Sequence, residues 1–241
     1  GCGIFIRNNI AKYVTVRYRR PRIFEFSLET NRSKLVIINV YAPTSGDTDE
    51  TRGDFWTELQ TRLNRTAGNA TLLLGDFNAH VSQSSMTNAG HPVARNAHWD
   101  TDDNNNGDQL LDLCATHSCR ILNYANPNAT HTFFGHETSS TIDYIITSMT
   151  PKWRVHPPRI TKPRWHTDHR MITTMVTPTR HNAKWKQREP PRKHAVAEDP
   201  AFDDLLAELK MEAATIDPDP TPTRRKWNMS QATLDAVQKF H

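Results

Sequence analysis

Lys34-Leu-Val-Ile-Ile-Asn-Val-Tyr41 is a nearly continuous β-branched run, closed by Pro43 and Gly46. A run of this kind predicts a central strand covered on both faces. Just after it, Thr51 to Arg65 sets Phe55, Trp56, Leu59 and Leu63 on one helical stripe, with acidic residues leading in. Thr71-Leu-Leu-Leu74 predicts a second buried strand, running into Gly75-Asp76-Phe77-Asn78. Upstream, Gly3-Ile-Phe-Ile6 and Val14-Thr-Val16 read as short strands, and Phe24-Glu-Phe-Ser-Leu28 alternates as a half-buried strand does. Residues 82–107 are polar, rich in Asn, Asp and His, and read as a long loop. Leu110, Leu111, Leu113 and Cys114 then mark a helix, followed by the strand Arg120-Ile-Leu-Asn123. His131-Thr-Phe-Phe134 and Thr141-Ile-Asp-Tyr-Ile-Ile146 predict a hairpin around Gly135, and Arg170 to Thr177 a last strand. Strands and helices mix without the regular alternation of a purely parallel sheet. The expected class is an α/β sandwich of mixed sheets.

The chain has 241 residues and a formal net charge of +4. Its charge is segregated. Residues 1–34 hold eight Lys/Arg against two Glu, residues 35–150 five basic against thirteen acidic, and residues 151–180 seven basic against one Asp. An acidic centre between basic flanks suits a cation site beside a polyanion, although solvated surface charge reads the same way. Three cysteines make no disulfide framework, so a reducing, intracellular compartment and no disulfide-linked partner are expected. No run approaches the roughly 18 apolar residues that span a bilayer, so no membrane partner is expected. After Pro178 the character changes: seven of the fifteen prolines lie from there onward. The reading is a domain over 1–179 and a linker or tail over 180–241 with isolated helices around 202–209 and 234–237.

Three segments place an acid at or near a strand tip: Gly75-Asp76-Phe77-Asn78, Ile142-Asp143-Tyr144 and Thr167-Asp168-His169. Asp143 lies inside an apolar strand, where an unpaired carboxylate costs several kcal/mol. It therefore needs a partner, and His169 is the candidate, since a carboxylate on one imidazole nitrogen fixes the tautomer and frees the other. Asp168 could then face a divalent cation that prefers hard oxygen ligands. Asp76 and Asn78, two apart in an extended segment, would point the same way, one as acid or base and the other as a donor to phosphate. Read singly, each has a plainer meaning: a strand-ending turn, a structural salt bridge, a loop Asp-His pair. Cys114 and Cys119 near His117 lack the spacing of a zinc site. Trp153, Trp165 and Trp185 interleave with basic residues and suit base stacking or ordinary packing equally.

Taken jointly, the order Val40-Tyr41-Ala42-Pro43, Gly75-Asp76-Phe77-Asn78, Ile142-Asp143-Tyr144 and Thr167-Asp168-His169 resembles the endonuclease/exonuclease/phosphatase superfamily. Leu110-Leu111-Asp112-Leu113-Cys114 leading to Ile121-Leu122-Asn123, with His131-Thr132-Phe133-Phe134 before Ile142, is similar to the endonuclease domain of non-LTR retrotransposon polyproteins. The resemblance covers about residues 3–177. It implies a four-layer α/β sandwich, two mixed sheets flanked by helices. It also implies Mg²⁺-assisted phosphodiester hydrolysis, with Mn²⁺ as a substitute cation. The product would be a nick in target DNA whose 3′ hydroxyl primes reverse transcription, made in the nucleus. Asp143 and His169 would form the orienting pair at the phosphate, Asp168 a metal ligand, and Asp76 with Asn78 the pair that handles water and leaving group. Tyr41 and Thr132 would be supporting phosphate-side contacts. Two departures are visible: Thr44 stands where many members have Asn, and the family's opening Asn and metal-binding Glu strands find no counterpart; with no polymerase sequence after the tail, the chain reads as cut at both ends and its nicking activity as impaired. Two alternatives stay open, a phosphoesterase of the same fold acting on small phosphates and a non-catalytic nucleic-acid-binding remnant.

Overall fold

The computed structural model describes residues 1–179 except 32, 93, 95–99, 127–128, 137, 149–152 and 164–165. The expected tail with its two helices, Trp165 and Trp185 lie outside these. In chain order the elements are α1 (Asn8–Ala11), β1 (Val14–Arg19), β2 (Ile23–Glu29), β3 (Lys34–Tyr41), α2 (Asp49–Arg65), β4 (Ala70–Asp76), α3 (Gln83–Asn88), α4 (Asn105–Thr116) and β5 (Cys119–Ile121). A 3₁₀ turn over Asn123–Ala125 precedes β6 (Phe133–Phe134), β7 (Ser139–Ser140), β8 (Asp143–Ser148), β9 (Trp153–Val155), β10 (Arg159–Thr161), β11 (Met171–Thr173) and β12 (Val176–Pro178).

The predicted central strand is central. Six strands form one mixed sheet in the order β1-β2-β3-β4-β8-β5. Only β3 and β4 run parallel, with Tyr41 opposite Asp76 at their common end, and α2 makes the crossover. Both sheet faces are covered, as the β-branched run requires. On one face Val36, Ile38 and Val40 meet the α2 stripe Phe55, Trp56, Leu59 and Leu63, together with Leu110, Leu113 and Cys114 of α4. On the other, Leu35, Ile37, Leu72 and Ile145 meet Trp153, with Val155, Ile172 and Val176 packed alongside. Those last residues belong to the antiparallel ladders β9–β12 and β10–β11, which with β6–β7 make up the smaller β-structure of this mixed α/β fold. Trp153 is thus core and not a stacking platform.

α2 begins where its signals place it. Thr48 caps it by accepting from Thr51 N–H, Asp49 and Glu50 occupy the first turn, and Arg62 and Arg65 the last. Five expectations are corrected. Gly3–Ile6 is not a strand: Cys2, Ile4 and Ile6 pack against the second core in alternation, but the segment enters no ladder. Strand β2 is buried on both faces and not half-buried, because Glu25 is paired internally with Arg62. The hairpin strand opposite Phe133-Phe134 is Ser139-Ser140, while Asp143–Ser148 joins the large sheet between β4 and β5. The 82–107 stretch contains α3, capped by Ser82, and Asp103 ties that cap by accepting from Ser82 N–H at 2.6 Å and Ser85 Oγ at 2.5 Å. Finally, 170–177 is two strands, β11 and β12, in different ladders.

Candidate active site

Sheet register builds the site. β4 and β8 are antiparallel with Asp76 directly opposite Asp143, and β3 ends beside them at Tyr41. Two carboxylates directly across a ladder repel each other. Just before Asp76, Gly75 lets β4 lie close against β3: it holds φ +133, and a Cβ there would sit 2.0 Å from the Val40 carbonyl oxygen. Burial first, then the Asp143 charge, pushes the Asp76 carboxyl up to about 6, against a lowering pull from Asn78 N–H.

His169 arrives from the other side of the chain. Its segment hangs on β6: Phe134 N–H donates to the Asp168 carbonyl at 2.8 Å and Arg170 N–H to the Thr132 carbonyl at 2.6 Å. The ring stands edge-on to Phe133 at 5.2 Å, and its Nδ1 lies 2.9 Å from Asp143 Oδ2. That hydrogen bond raises the imidazole pKa above its ordinary value. Asp143 Oδ2 accepts best when Nδ1 carries the proton, which leaves Nε2 for a reacting group. Donor atoms of Asp76, Asp143 and His169 all lie within 4.8 Å of one another.

The backbone leading into Asp143 is held by side chains. Thr132 Oγ1 accepts from the N–H groups of Ile142 and Asp143, both at 3.1 Å. Asp100 accepts from Thr141 N–H, Asn123 Nδ2 donates to the Asp143 carbonyl at 2.7 Å, and Tyr144 Oη donates to the Thr141 carbonyl at 2.7 Å and the Ala79 carbonyl at 2.9 Å. Asn123 and Tyr144 belong to the motifs that carry the resemblance but have no site role there, and Asp100 is not singled out at all. The usable signal was weak: an Asn closing a strand and a Tyr inside one.

The other sequence candidates divide. Asp143, His169 and Asp76 come together as expected. Asn78 does not extend alongside Asp76: it is left-handed at φ +46, its N–H donates to Asp76 Oδ1 at 2.9 Å, and its Nδ2 donates to the Ala42 carbonyl at 2.8 Å. Thr132 is fully buried, so it supports Asp143 from beneath and makes no phosphate contact. Asp168 is exposed and outside the three-residue cluster, although near enough for its charge to raise His169. Among the described residues, Asp76, Asp143 and His169 form the group that could hold a cation, and Asp168 lies outside it. Tyr41 is half-buried with the Arg22 guanidinium over its ring at 5.5 Å. Thr44, the departing position, donates its hydroxyl to Asp47 at 3.0 Å.

Two opposed carboxylates suit a hard divalent cation that otherwise keeps water and substrate phosphate oxygens around it. A cation between them would also relieve the repulsion that raises Asp76.

Residues 35–173, more than half the chain, match the family described as endonuclease-reverse transcriptase. Among solved structures, the fold is similar to the endonuclease domain of TRAS1, a telomere-specific non-LTR retrotransposon, at TM-score 0.49 and 16% identity over 69% of each chain. It is also similar to the AP endonuclease of Leishmania major, at TM-score 0.47 and 12% identity over 65% of this chain and 54% of that one. A mannosyl-6-phosphatase of Bacteroides thetaiotaomicron gives TM-score 0.39 and 15% identity over 64% and 55%. The chain thus spans about half the length of the last two. No curated protein matches the sequence.

Proposed function

From the premise that the chain belongs to the endonuclease-reverse transcriptase family, within the endonuclease/exonuclease/phosphatase superfamily, we propose that it nicks DNA by hydrolysing one phosphodiester bond in the presence of Mg²⁺. The observation that carries this is the Asp143–His169 pair with Asp76 across the ladder from it, at the end of β4 and the start of β8. Asp143 holds the imidazole in one orientation and supports its charge. His169 offers Nε2 to a non-bridging phosphate oxygen and stabilises the charge that grows there. Asp76 exchanges a proton with the attacking water or the departing 3′ oxygen. Water bonds to phosphorus, the bond from phosphorus to the 3′ oxygen breaks, and that oxygen leaves as a hydroxyl. Asp76 and Asp143 would hold the cation, which supplies charge stabilisation at the phosphate when bound. The 3′ hydroxyl so made is the end a reverse transcriptase extends, and the proposed site of action is the nucleus, where chromosomal DNA lies.

Purified protein should relax supercoiled plasmid in Mg²⁺ or Mn²⁺ and stop in EDTA. His169→Ala and Asp76→Ala should each lower the rate at least about a hundredfold, the scale of losing an acid–base or charge-stabilising group. Cleavage that persists in EDTA would overturn the cation's part. Turnover of small phosphate monoesters without plasmid nicking would replace the substrate.

A further inference from the structure

The N-terminus of α4 is built into the loop that follows Asp76. The Asn78 carbonyl accepts from Asn104 Nδ2 at 3.0 Å and from Asn106 Nδ2 at 3.2 Å. Asn104 Oδ1 accepts from His80 N–H at 3.0 Å and from Gly107 N–H at 2.8 Å, and Asn104 N–H donates to the His80 carbonyl at 3.2 Å. Only glycine fits at 107, where a Cβ would meet the His80 carbonyl oxygen at 2.0 Å. Asn106 is 3% exposed. Its Nδ2 also donates to the Pro43 carbonyl at 2.8 Å, and its Oδ1 accepts from Trp56 Nε1 at 3.0 Å.

The Trp56 bond orients the amide. An indole N–H can only donate, so Asn106 must meet it with Oδ1, and Nδ2 is left for the two carbonyls. Those carbonyls belong to different strand ends. Pro43 follows β3, which ends at Tyr41, and Asn78 follows β4, which ends at Asp76. Asn78 in turn reaches Ala42 through its side chain and Asp76 Oδ1 through its N–H.

We propose that Asn106, seconded by Asn104, is a positioning residue of the active site: it sets the backbone at 78–80 and, through Asn78 N–H, the direction of the Asp76 carboxylate. Asn106 touches neither Asp76 nor the Asp143–His169 pair, so it acts at one remove. Three hydrogen bonds on one side chain, two of them buried, make a stiff joint, because each buried partner left unpaired would carry its own desolvation cost. A reacting group displaced by a fraction of an ångström loses rate far more than affinity. The kinetic consequence rests on the phosphodiesterase reading above; the structural one does not.

The test uses the full chain with Asn106→Asp, which sets an oxygen against the two carbonyls, and Trp56→Phe, which removes the orienting donor and part of the ring. Asn106→Asp should lower kcat for plasmid nicking on the order of 10- to 100-fold with KM within about twofold. Hydrogen exchange of Asn78 and His80 N–H should speed up at least about tenfold, while Ile142 and Asp143 N–H, held by Thr132, keep their rates. Trp56→Phe should show the same pattern more weakly, and it carries the test alone if Asn106→Asp does not fold. Unchanged kcat with unchanged exchange at Asn78, or a loss confined to KM, would overturn the proposal. If the unaltered chain nicks no plasmid, the functional reading fails and the exchange pattern by itself decides this one.

Discussion

Asp76 occupies a position hostile to its charge, half-buried and opposite Asp143, with its carboxyl pushed up to about 6. A free aspartate titrates near 3.9. The folded state therefore favours the protonated acid. Its contribution to stability is fully present below the unfolded pKa and is lost as pH rises through about 6. Asp76→Asn removes the ionisation. Without divalent cation the variant should match the parent near pH 4 and exceed it near pH 7.5 by about 1–3 kcal/mol in urea unfolding, the upper value being the full shift. A gap that does not widen across that range would mean Asp76 is not held against its charge. The Asp143–His169 pair was legible in the sequence, because a carboxylate in an apolar strand demands a partner and few candidates exist. The conformation of Asn78 was not, because a left-handed residue after a strand depends on Asn104 and Asn106, 26 and 28 positions away.

Strand β2 shows how an element departs from its pattern. Phe24-Glu-Phe-Ser-Leu28 alternates apolar and polar, which assigns Glu25 to a wet face. The structure buries Glu25 and Arg62 together, 7% and 8% exposed at the side chain, with Nη2 2.8 Å from Oε2 and Nε 2.9 Å from it. The Arg62 guanidinium also lies over the Tyr18 ring at 4.2 Å. Removing one partner strands a buried charge, whereas removing both need not. Glu25→Ala should cost about 3–5 kcal/mol in thermal or urea unfolding. Glu25→Leu with Arg62→Met should recover most of that loss. Equal losses for the single and double variants would mean the pair is not a unit. Helices α2 and α4 were legible because their caps and apolar stripes are local. The split of 170–177 into β11 and β12 was not, because each half pairs with a different distant strand.

At the scale of the molecule, the described residues carry exposed arginines on β1, at the sheet's edge, and exposed Arg154, Arg159 and Lys162 around β9 and β10. DNA affinity should therefore fall with salt along a log–log line, losing about tenfold or more between 50 and 200 mM in a titration with a catalytically silent His169→Ala chain. A flat salt response would remove these surfaces from the binding account. The sequence by itself determined the central strand, the crossover helix, the mixed α/β class and the identity of the acids and histidine that meet. Those features rest on local periodicity, capping and the cost of an unpaired buried charge, all of which act within a few residues. Tertiary structure alone decided that Asp76 faces Asp143, that Asp168 stands apart, that Thr132 is buried beneath the site and that Asn106 links two strand ends. The reason is register: which residues oppose each other across a ladder, and which carbonyls a buried amide reaches, depend on how segments far apart in the chain come to lie side by side.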